Sequence, residues 1–306
     1  MGAVRRAAVI GTGTMGPGMG AVLARAGIDT ALYDVSAEAL ERAKAGAELA
    51  AGVLDRLEAA QEDGGGLRFE TDLDSALDGA DFVLEAIPEK LELKQEIFPR
   101  FEAAVAPDAV LASNTSGIPI TKIAAVCEHP QRVVGMHWSN PPHLIPMIEV
   151  IPGEQTSQET VDATSELVRR FGYHPVVERE VAGFVENRIL YAILRECLDL
   201  VDRGIIDPEG LDLNVRWGIG YKLAVIGPME LLDMAGLDIY NAVGSYLNQD
   251  LSTSGEVSST IRDLIDKGRL GMKTGGGIYD YTPEQIDELR ARRAGKLVAV
   301  RKALEG

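Results

Sequence analysis

Up to about Glu178 the chain alternates short apolar runs with longer segments of helical period, the pattern of strands and helices taken in turn. Arg6-Ala-Ala-Val-Ile10 is short and apolar enough for a buried strand. A helix-compatible stretch runs from Pro17 to Ala26, Gly27 ends it, and Thr30-Ala-Leu-Tyr33 predicts a second strand. From Ala37 to Ala60 the spacing of Leu40, Ala43, Ala47, Leu54 and Leu57 predicts a long one-sided helix. It runs out in Gln61-Glu-Asp-Gly-Gly-Gly66, which reads as a flexible loop. A strand over residues 81–87, a helix from about 91 to 105 and a strand over 109–112 follow. Two more strand-like runs, residues 132–136 and 147–151, flank a proline-rich stretch that must turn the chain back.

After Val181-Ala-Gly183 the pattern changes. From about Glu186 it is almost wholly helical, with Ile189, Ala192, Ile193 and Cys197 on one stripe. The last helix opens at Thr282-Pro-Glu-Gln285, a Thr cap with Pro at the first helical position and Gln at the third. Its Ile286, Leu289, Leu297, Val300 and Leu304 form a stripe that needs a surface to dock on. The expected division is an α/β domain of the Rossmann type over residues 1–182 and an all-helical domain over 183–306. The second would carry substrate contacts and a homodimer interface.

The first strand leads into Gly11-Thr-Gly-Thr-Met-Gly16, and the second stops at Asp34. Strand, Gly-x-Gly-x-x-Gly, helix, strand, acid is the order of a dinucleotide site. Gly11 permits the tight turn, Gly13 admits a pyrophosphate, and Gly16 lets helix and strand pack closely. The helix N-terminus offers free N–H groups to the phosphates. Asp34 would accept from the ribose hydroxyls and repel a 2′-phosphate, so NAD is favoured over NADP. A flavin fits the fingerprint alone, although a flavin enzyme usually needs more chain to cover its ring system.

Composition narrows the classes of function. The chain has 306 residues, enough for one α/β domain and a smaller second one, and its 46% hydrophobic share is ample for real cores. A net charge of −17 argues against nucleic acid or an anionic membrane as partner. Cys127 and Cys197 lie far apart and outside any metal or redox spacing, so no metal site is read and both are ordinary thiols. No apolar run reaches membrane-spanning length. Met-Gly-Ala-Val-Arg-Arg leads directly into the first strand and fails the myristoylation pattern, so a cytoplasmic protein is expected.

The candidate chemistry lies in the two strand-like runs around the proline-rich turn. His137 closes the first, Glu149 sits in the second, and adjacent strands would set them side by side. A carboxylate on one ring nitrogen fixes the tautomer and raises the basicity of the other, as a base taking an alcohol proton requires.

These motifs together resemble the L-3-hydroxyacyl-CoA dehydrogenase family from end to end. The resemblance rests on Ile10 through Gly16, Glu85-Ala-Ile-Pro-Glu89 with Lys94, Ser113-Asn-Thr-Ser116, and Gly135 through Val150. It continues in Gly183-Phe-Val-Glu-Asn-Arg188, Gly227-Pro-Met-Glu230 and Gly271-Met-Lys-Thr-Gly-Gly-Gly-Ile-Tyr279. It implies His137 as general base, Glu149 as its orienting partner, and Ser116 and Asn187 as donors to the reacting oxygen. Thr14 and Met15 of the glycine turn, with Glu89, Lys94, Ser116 and Lys273, would help hold NAD. Taken from the residues alone, Ser116 is a turn hydroxyl, Asn187 a helix cap, and the two lysines surface charges.

The acyl-CoA enzymes extend the segment after the second strand into a longer helical tail that helps clamp CoA. Here that segment is cut to residues 54–66, acidic and glycine-rich, and its acids would repel the CoA phosphates. His137 through Met147, Val215 through Lys222 and Tyr281 through Gln285 resemble more closely a branch of the family acting on a small pyridine aldehyde. A small anionic substrate of that kind would need cations and aromatic faces. Trp138, His143, Arg188, Arg216, Trp217, Tyr221 and Lys222 are the candidates. Three readings stand: an NAD-dependent dehydrogenase of a small aromatic aldehyde hydrate or hydroxy acid, a 3-hydroxybutyryl-CoA type enzyme with a short clamp, and a non-enzymatic NAD-binding protein.

Overall fold

A computed structural model describes residues 4–305. Met1–Ala3, where the start was read for a leader or acyl site, and Gly306 lie outside the described residues. The chain forms two compact units that divide between Arg188 and Ile189.

In the first unit, eight strands form one sheet in the order β3-β2-β1-β4-β5-β6-β7-β8. They are β1 (Arg6–Ile10), β2 (Asp29–Tyr33), β3 (Gly66–Glu70), β4 (Phe82–Glu85), β5 (Val110–Ser113), β6 (Val133–Trp138), β7 (Met147–Pro152) and β8 (His174–Val177). All neighbours are parallel except β6 and β7. The helices between them are α1 (Gly16–Arg25), α2 (Ala37–Arg56), α3 (Leu73–Leu77), α4 (Leu91–Ala104), α5 (Ile120–Ala124) and α6 (Gln158–Arg170). Sheet order reverses between β1 and β4, and a crevice opens there beyond the strand ends.

Helix starts follow local chemistry. Ser36 Oγ caps α2 by accepting from Ala39 N at 3.2 Å, and Ser157 Oγ caps α6 by accepting from Thr160 N at 3.2 Å. The apolar runs of β1, β4 and β5 end in the core, where Ala8, Ile10, Val83 and Leu111 are fully buried with Phe98 and Phe101 of α4. Fully covered strands of this kind belong to the middle of a parallel sheet.

The segment read as a flexible loop is pinned. Glu62 N donates to Arg25 O at 2.9 Å, Arg170 Nε donates to Glu62 Oε2 at 3.0 Å, and a Cβ on Gly65 would stand 1.8 Å from Ala24 O. It leads into β3, a strand absent from the sequence reading because all five residues are only partly buried and show no apolar period. The acids of this turn also sit by the C-terminal end of α1, about 15 Å from the glycine turn at its start.

The second unit is helical, as expected. After α7 (Phe184–Asp202), which runs through the boundary, come α8 (Pro208–Asn214), a π-helical turn over Val215–Gly220 and α9 (Tyr221–Leu223). Then follow α10 (Pro228–Ala235), α11 (Leu237–Asp250), α12 (Ser259–Asp266) and α13 (Pro283–Glu305). The reciprocal cap of α13 is present: Thr282 N donates to Gln285 Oε1 at 2.9 Å and Gln285 N to Thr282 Oγ1 at 3.3 Å. Of the described residues from Ile189 onward, only Gly276, Gly277 and Arg301 are buried. No described helix is long and apolar enough to cross a membrane.

Candidate active site

The glycine turn joins β1 to α1 at the crevice. Gly11 is left-handed (φ 109°), and a Cβ there would lie 2.5 Å from Ala86 O. A Cβ on Gly16 would lie 2.2 Å from Gly11 O, so both glycines are needed by the protein's own packing. Gly13 differs, since nothing stands within 4 Å of its added Cβ. It faces open space, where a ligand's phosphates can approach the backbone. No side chain caps the start of α1, at Met15, which leaves its N–H groups to a ligand. Thr14 is exposed at the rim of the turn.

Asp34 is set by the same turn. Thr12 N and Oγ1 donate to its Oδ2 at 3.1 and 2.7 Å, and Ser36 N donates to Oδ1 at 3.2 Å. A pocket of ≈ 420 Å³ joins Asp34 and the turn to Arg42 of α2 and to Pro142 and His143. These groups suit the adenosine half of a dinucleotide. His143, expected to touch substrate, lines this pocket beside Asp34. The chain after β6 folds over α1, close enough that a Cβ on Gly18 would stand 2.9 Å from His143 Nδ1. Burial pulls the His143 pKa down, so the ring is neutral.

At the end of β4 a buried charge cluster fixes the other side of the crevice. Lys94 is 1% exposed, and its Nζ donates to Glu85 Oε1 at 2.6 Å and lies 3.3 Å from Glu89 Oε2. Ser113 Oγ donates to Glu85 Oε2 at 2.5 Å. Burial raises the Glu85 carboxyl despite the opposing charge of Lys94. For Glu89 burial acts in the same sense, but the bonds from Thr115 and Ser116 N and the charge of Lys94 outweigh it and hold it below its usual range. Lys94 was expected to meet the cofactor. Its ammonium is enclosed instead by the two carboxylates, and it positions Glu89 from behind.

Glu89 Oε1 accepts from Thr115 Oγ1 at 2.5 Å and from Ser116 N at 2.9 Å. Thr115 Oγ1 also accepts from Ile118 N at 2.9 Å, so Thr115 holds the turn and the Ser116 side chain stays exposed. Asn187 Nδ2 donates to Ser116 O at 3.1 Å, which brings those two expected partners together.

His137 and Glu149 stand directly opposite each other on antiparallel β6 and β7, with Nδ1 and Oε2 at 2.6 Å and both side chains buried. Burial works to raise the Glu149 carboxyl. The bonds from His137 and Glu186 N outweigh it, so Glu149 is a carboxylate. Nδ1 therefore carries the proton and donates, and Nε2 is left as an acceptor. Glu149 Oε1 is occupied too, accepting from Val185 N at 3.0 Å and Glu186 N at 2.7 Å. These amides belong to the first turn of α7, which the chain enters through left-handed Gly183 (φ 77°) and Phe184 (φ 52°). Such a conformation costs a bulky residue about 1–3 kcal/mol, and it aims both amides at the dyad.

Three polar groups near the dyad escaped the sequence reading. Glu178, just past β8, accepts from Val185 N at 3.0 Å, the amide that Glu149 also holds. Burial, then the charge of Glu149, push its carboxyl up to about 7. Glu186 accepts a short hydrogen bond from Ser139 Oγ. One ligand atom each from His137, Glu149 and Glu186 lies within 4.8 Å of the others. Glu186 was in view inside the Gly183–Arg188 motif, but only Asn187 and Arg188 were singled out there.

The remaining expected substrate contacts divide. Trp138 is a core residue, 2% exposed, with ring centroids 5.5 Å from Phe171 and 5.9 Å from Tyr173. Alternation along β6 explains this: with His137 on one face of the sheet, its neighbour must face the other. Arg188 is exposed, with Nη1 donating to Ala182 O at 3.3 Å. In the second unit Arg216 lies over the Trp217 ring at 5.4 Å, and Trp217 and Tyr221 have centroids 6.2 Å apart. Together with Lys222 they form an exposed aromatic and cationic group. Lys273 is exposed in the short turn Met272–Thr274.

Comparison with known proteins places this geometry. The model of the 3-hydroxyacyl-CoA dehydrogenase NAD binding domain matches residues 6–181, and that of the C-terminal domain matches residues 183–281. The chain is 53% identical to 5-formyl-3-hydroxy-2-methylpyridine 4-carboxylate 5-dehydrogenase of Mesorhizobium japonicum, over 99% of each. It is 37% identical to a probable 3-hydroxybutyryl-CoA dehydrogenase of Deinococcus radiodurans, over 89% of this chain and 99% of the relative. The solved structure of a 5-formyl-3-hydroxy-2-methylpyridine 4-carboxylic acid 5-dehydrogenase, an NAD+-dependent dismutase, superposes with a TM-score of 0.97 at 53% identity, over 99% of each chain.

Proposed function

Because the chain belongs to the 3-hydroxyacyl-CoA dehydrogenase family and is an NAD-dependent oxidoreductase, we propose that it oxidises a small pyridine or other aromatic aldehyde, as the hydrate, without CoA. The observation that carries this choice is the 53% identity, held over the full length of both chains, to an enzyme whose substrate is a formyl-pyridine carboxylate.

The residues present fit NAD. Gly13 and the uncapped start of α1 would hold the pyrophosphate, Asp34 the adenosine ribose, and Glu89 with Ser116 the far half. The bound nicotinamide supplies a hydride acceptor. The protein supplies the proton chemistry: Nε2 of His137 takes a hydroxyl proton from the substrate, and Glu149 stabilises the imidazolium that results. In this reading Asn187 and the Ser116 hydroxyl bond the reacting oxygen, supported by the bond from Asn187 Nδ2 to Ser116 O that holds the two residues together. Cys127 is unsuited to thiol-based aldehyde oxidation, since burial, then the charge of Glu102, push its thiol up to about 12.

The protein also acts as a homodimer through its helical unit. Leu237, Tyr240, Val243 and Leu247 recur at helical spacing along α11, and all are exposed in a unit with no buried apolar side chain. A second copy is the commonest cover for such a face. Sedimentation as a monomer at all concentrations would overturn this.

The assay that tests the substrate follows NADH with 5-formyl-3-hydroxy-2-methylpyridine-4-carboxylate and, in parallel, with acetoacetyl-CoA. Turnover of the aldehyde alone is expected. Turnover of acetoacetyl-CoA alone would make this an acyl-CoA enzyme, and turnover of neither would mean that the dehydrogenase takes a different substrate.

A further inference from the structure

We propose that Glu186 is a catalytic residue specific to the hydrate: its carboxylate receives the hydrogen bond of the second hydroxyl of a geminal diol. This inference rests on the aldehyde reading above.

The case starts from what Glu149 can no longer do. One of its oxygens is taken by His137 and the other by the amides of Val185 and Glu186. Both of its oxygens are engaged in orienting the base and seating α7. Glu186 stands one step further along the same face. Its partner Ser139 is two residues beyond His137, just past the end of β6, and is itself buried. A Glu186 carboxylate oxygen lies within 4.8 Å of a His137 ring nitrogen. An acid in the first turn of a helix is ordinarily explained by the helix dipole and points to solvent. This one turns inward to a buried hydroxyl, beside an imidazole that already has its carboxylate. It forms no ion pair among the described residues.

A simple alcohol has one hydroxyl, and His137 suffices for it. A hydrated aldehyde, R–CH(OH)₂, has two. As the C–H hydride passes to NAD+, His137 takes the proton of one hydroxyl and that oxygen becomes the carbonyl. The other oxygen stays on carbon as the hydroxyl of the acid. The balance is R–CH(OH)₂ + NAD+ → R–COOH + NADH + H+, with the proton leaving by way of His137. While the carbon loses hydride, the retained hydroxyl becomes more acidic, and its bond to a carboxylate strengthens in the transition state. In the reverse sense, R–CHO + NADH + H+ → R–CH₂OH + NAD+, there is one oxygen, which takes its proton from His137. Glu186 has no partner in that half.

The two halves can be read separately in single turnovers with enzyme in excess, starting from aldehyde with NAD+ or from aldehyde with NADH. For Glu186→Gln the oxidative half should slow about 10- to 100-fold more than the reductive half. Ser139→Ala, which frees the carboxylate without removing it, should move the same ratio less. Glu186→Asp should recover part of the loss. Equal slowing of both halves would overturn the proposal and leave Glu186 as a residue that only seats α7. An unchanged ratio with full rates would overturn it as well. The wild-type enzyme is measured first: if it oxidises no aldehyde hydrate, the underlying reading fails, and this one with it.

Discussion

The two units spend similar residues in opposite ways. In the first, Ala8, Ile10, Val83, Leu111 and Val133 lie with no exposure between helices, and even Lys94 and Glu85 are sealed in. In the second, Leu237, Ile239, Tyr240, Met234 and Tyr246 are all more than half exposed. Neither contrast is a matter of composition, since apolar residues recur at helical period in both. One unit covers its apolar surface with its own chain, and the other does not. Burying a side chain of this size is worth about 1.5–3 kcal/mol, so the homodimer proposed above would stabilise the helical unit. Under that proposal chemistry and assembly are separated along the chain.

His137→Asn tests that separation most severely. It should lower kcat by a hundred- to ten-thousandfold while NAD affinity and the dimer are kept. Near wild-type turnover would show that the base lies elsewhere. Lys94→Met should cost about 3–5 kcal/mol of stability, because it leaves Glu85 as an uncompensated buried charge. Denaturant unfolding followed by a probe in the first unit reads it. A neutral result would mean the sealed interior is softer than drawn here. Tyr240→Glu should raise the dimer dissociation constant about 30-fold or more and leave single-site NAD binding intact. Loss of NAD binding with dimerisation unaltered would reverse the division of labour.

The smallest expected effect comes from Glu178. Its folded pKa, about 7, is above the ordinary 4.5, so its contribution to stability is fully present below pH 4.5 and is lost as pH rises through about 7. Melting midpoints of the wild type should lose about 2 to 4 °C from this group between about pH 4.5 and 7, and Glu178→Gln should flatten that slope. An equal slope in both proteins would assign the titration to another group.

Much of the first unit was legible because its local chemistry is strict. The glycine turn admits few alternatives, and two apolar runs around a tight return set His137 against Glu149 by register alone. The capping box of α13 was legible for the same reason. What stayed hidden depended on partners distant in sequence. Lys94 looks like any surface lysine until β4 brings Glu85 beneath it. The edge strand β3 lacks a period because all five of its residues are covered only in part. Trp138 and His143 were read as the aromatic face and cation of a substrate pocket. Strand alternation sends the first to the opposite face, and the path after β6 sends the second over the start of α1. Glu178 and Glu186 gain meaning only once α7 docks its first turn on Glu149.

That docking has a spectroscopic consequence. The amide protons of Val185 and Glu186 end on the carboxylate that holds His137, so they sit one atom from the base's counter-charge. Their chemical shifts will follow protonation of the imidazole, and their exchange with solvent will slow or quicken with it. The working state of the base can thus be followed from two backbone resonances, with the imidazole, the substrate and the cofactor left unlabelled.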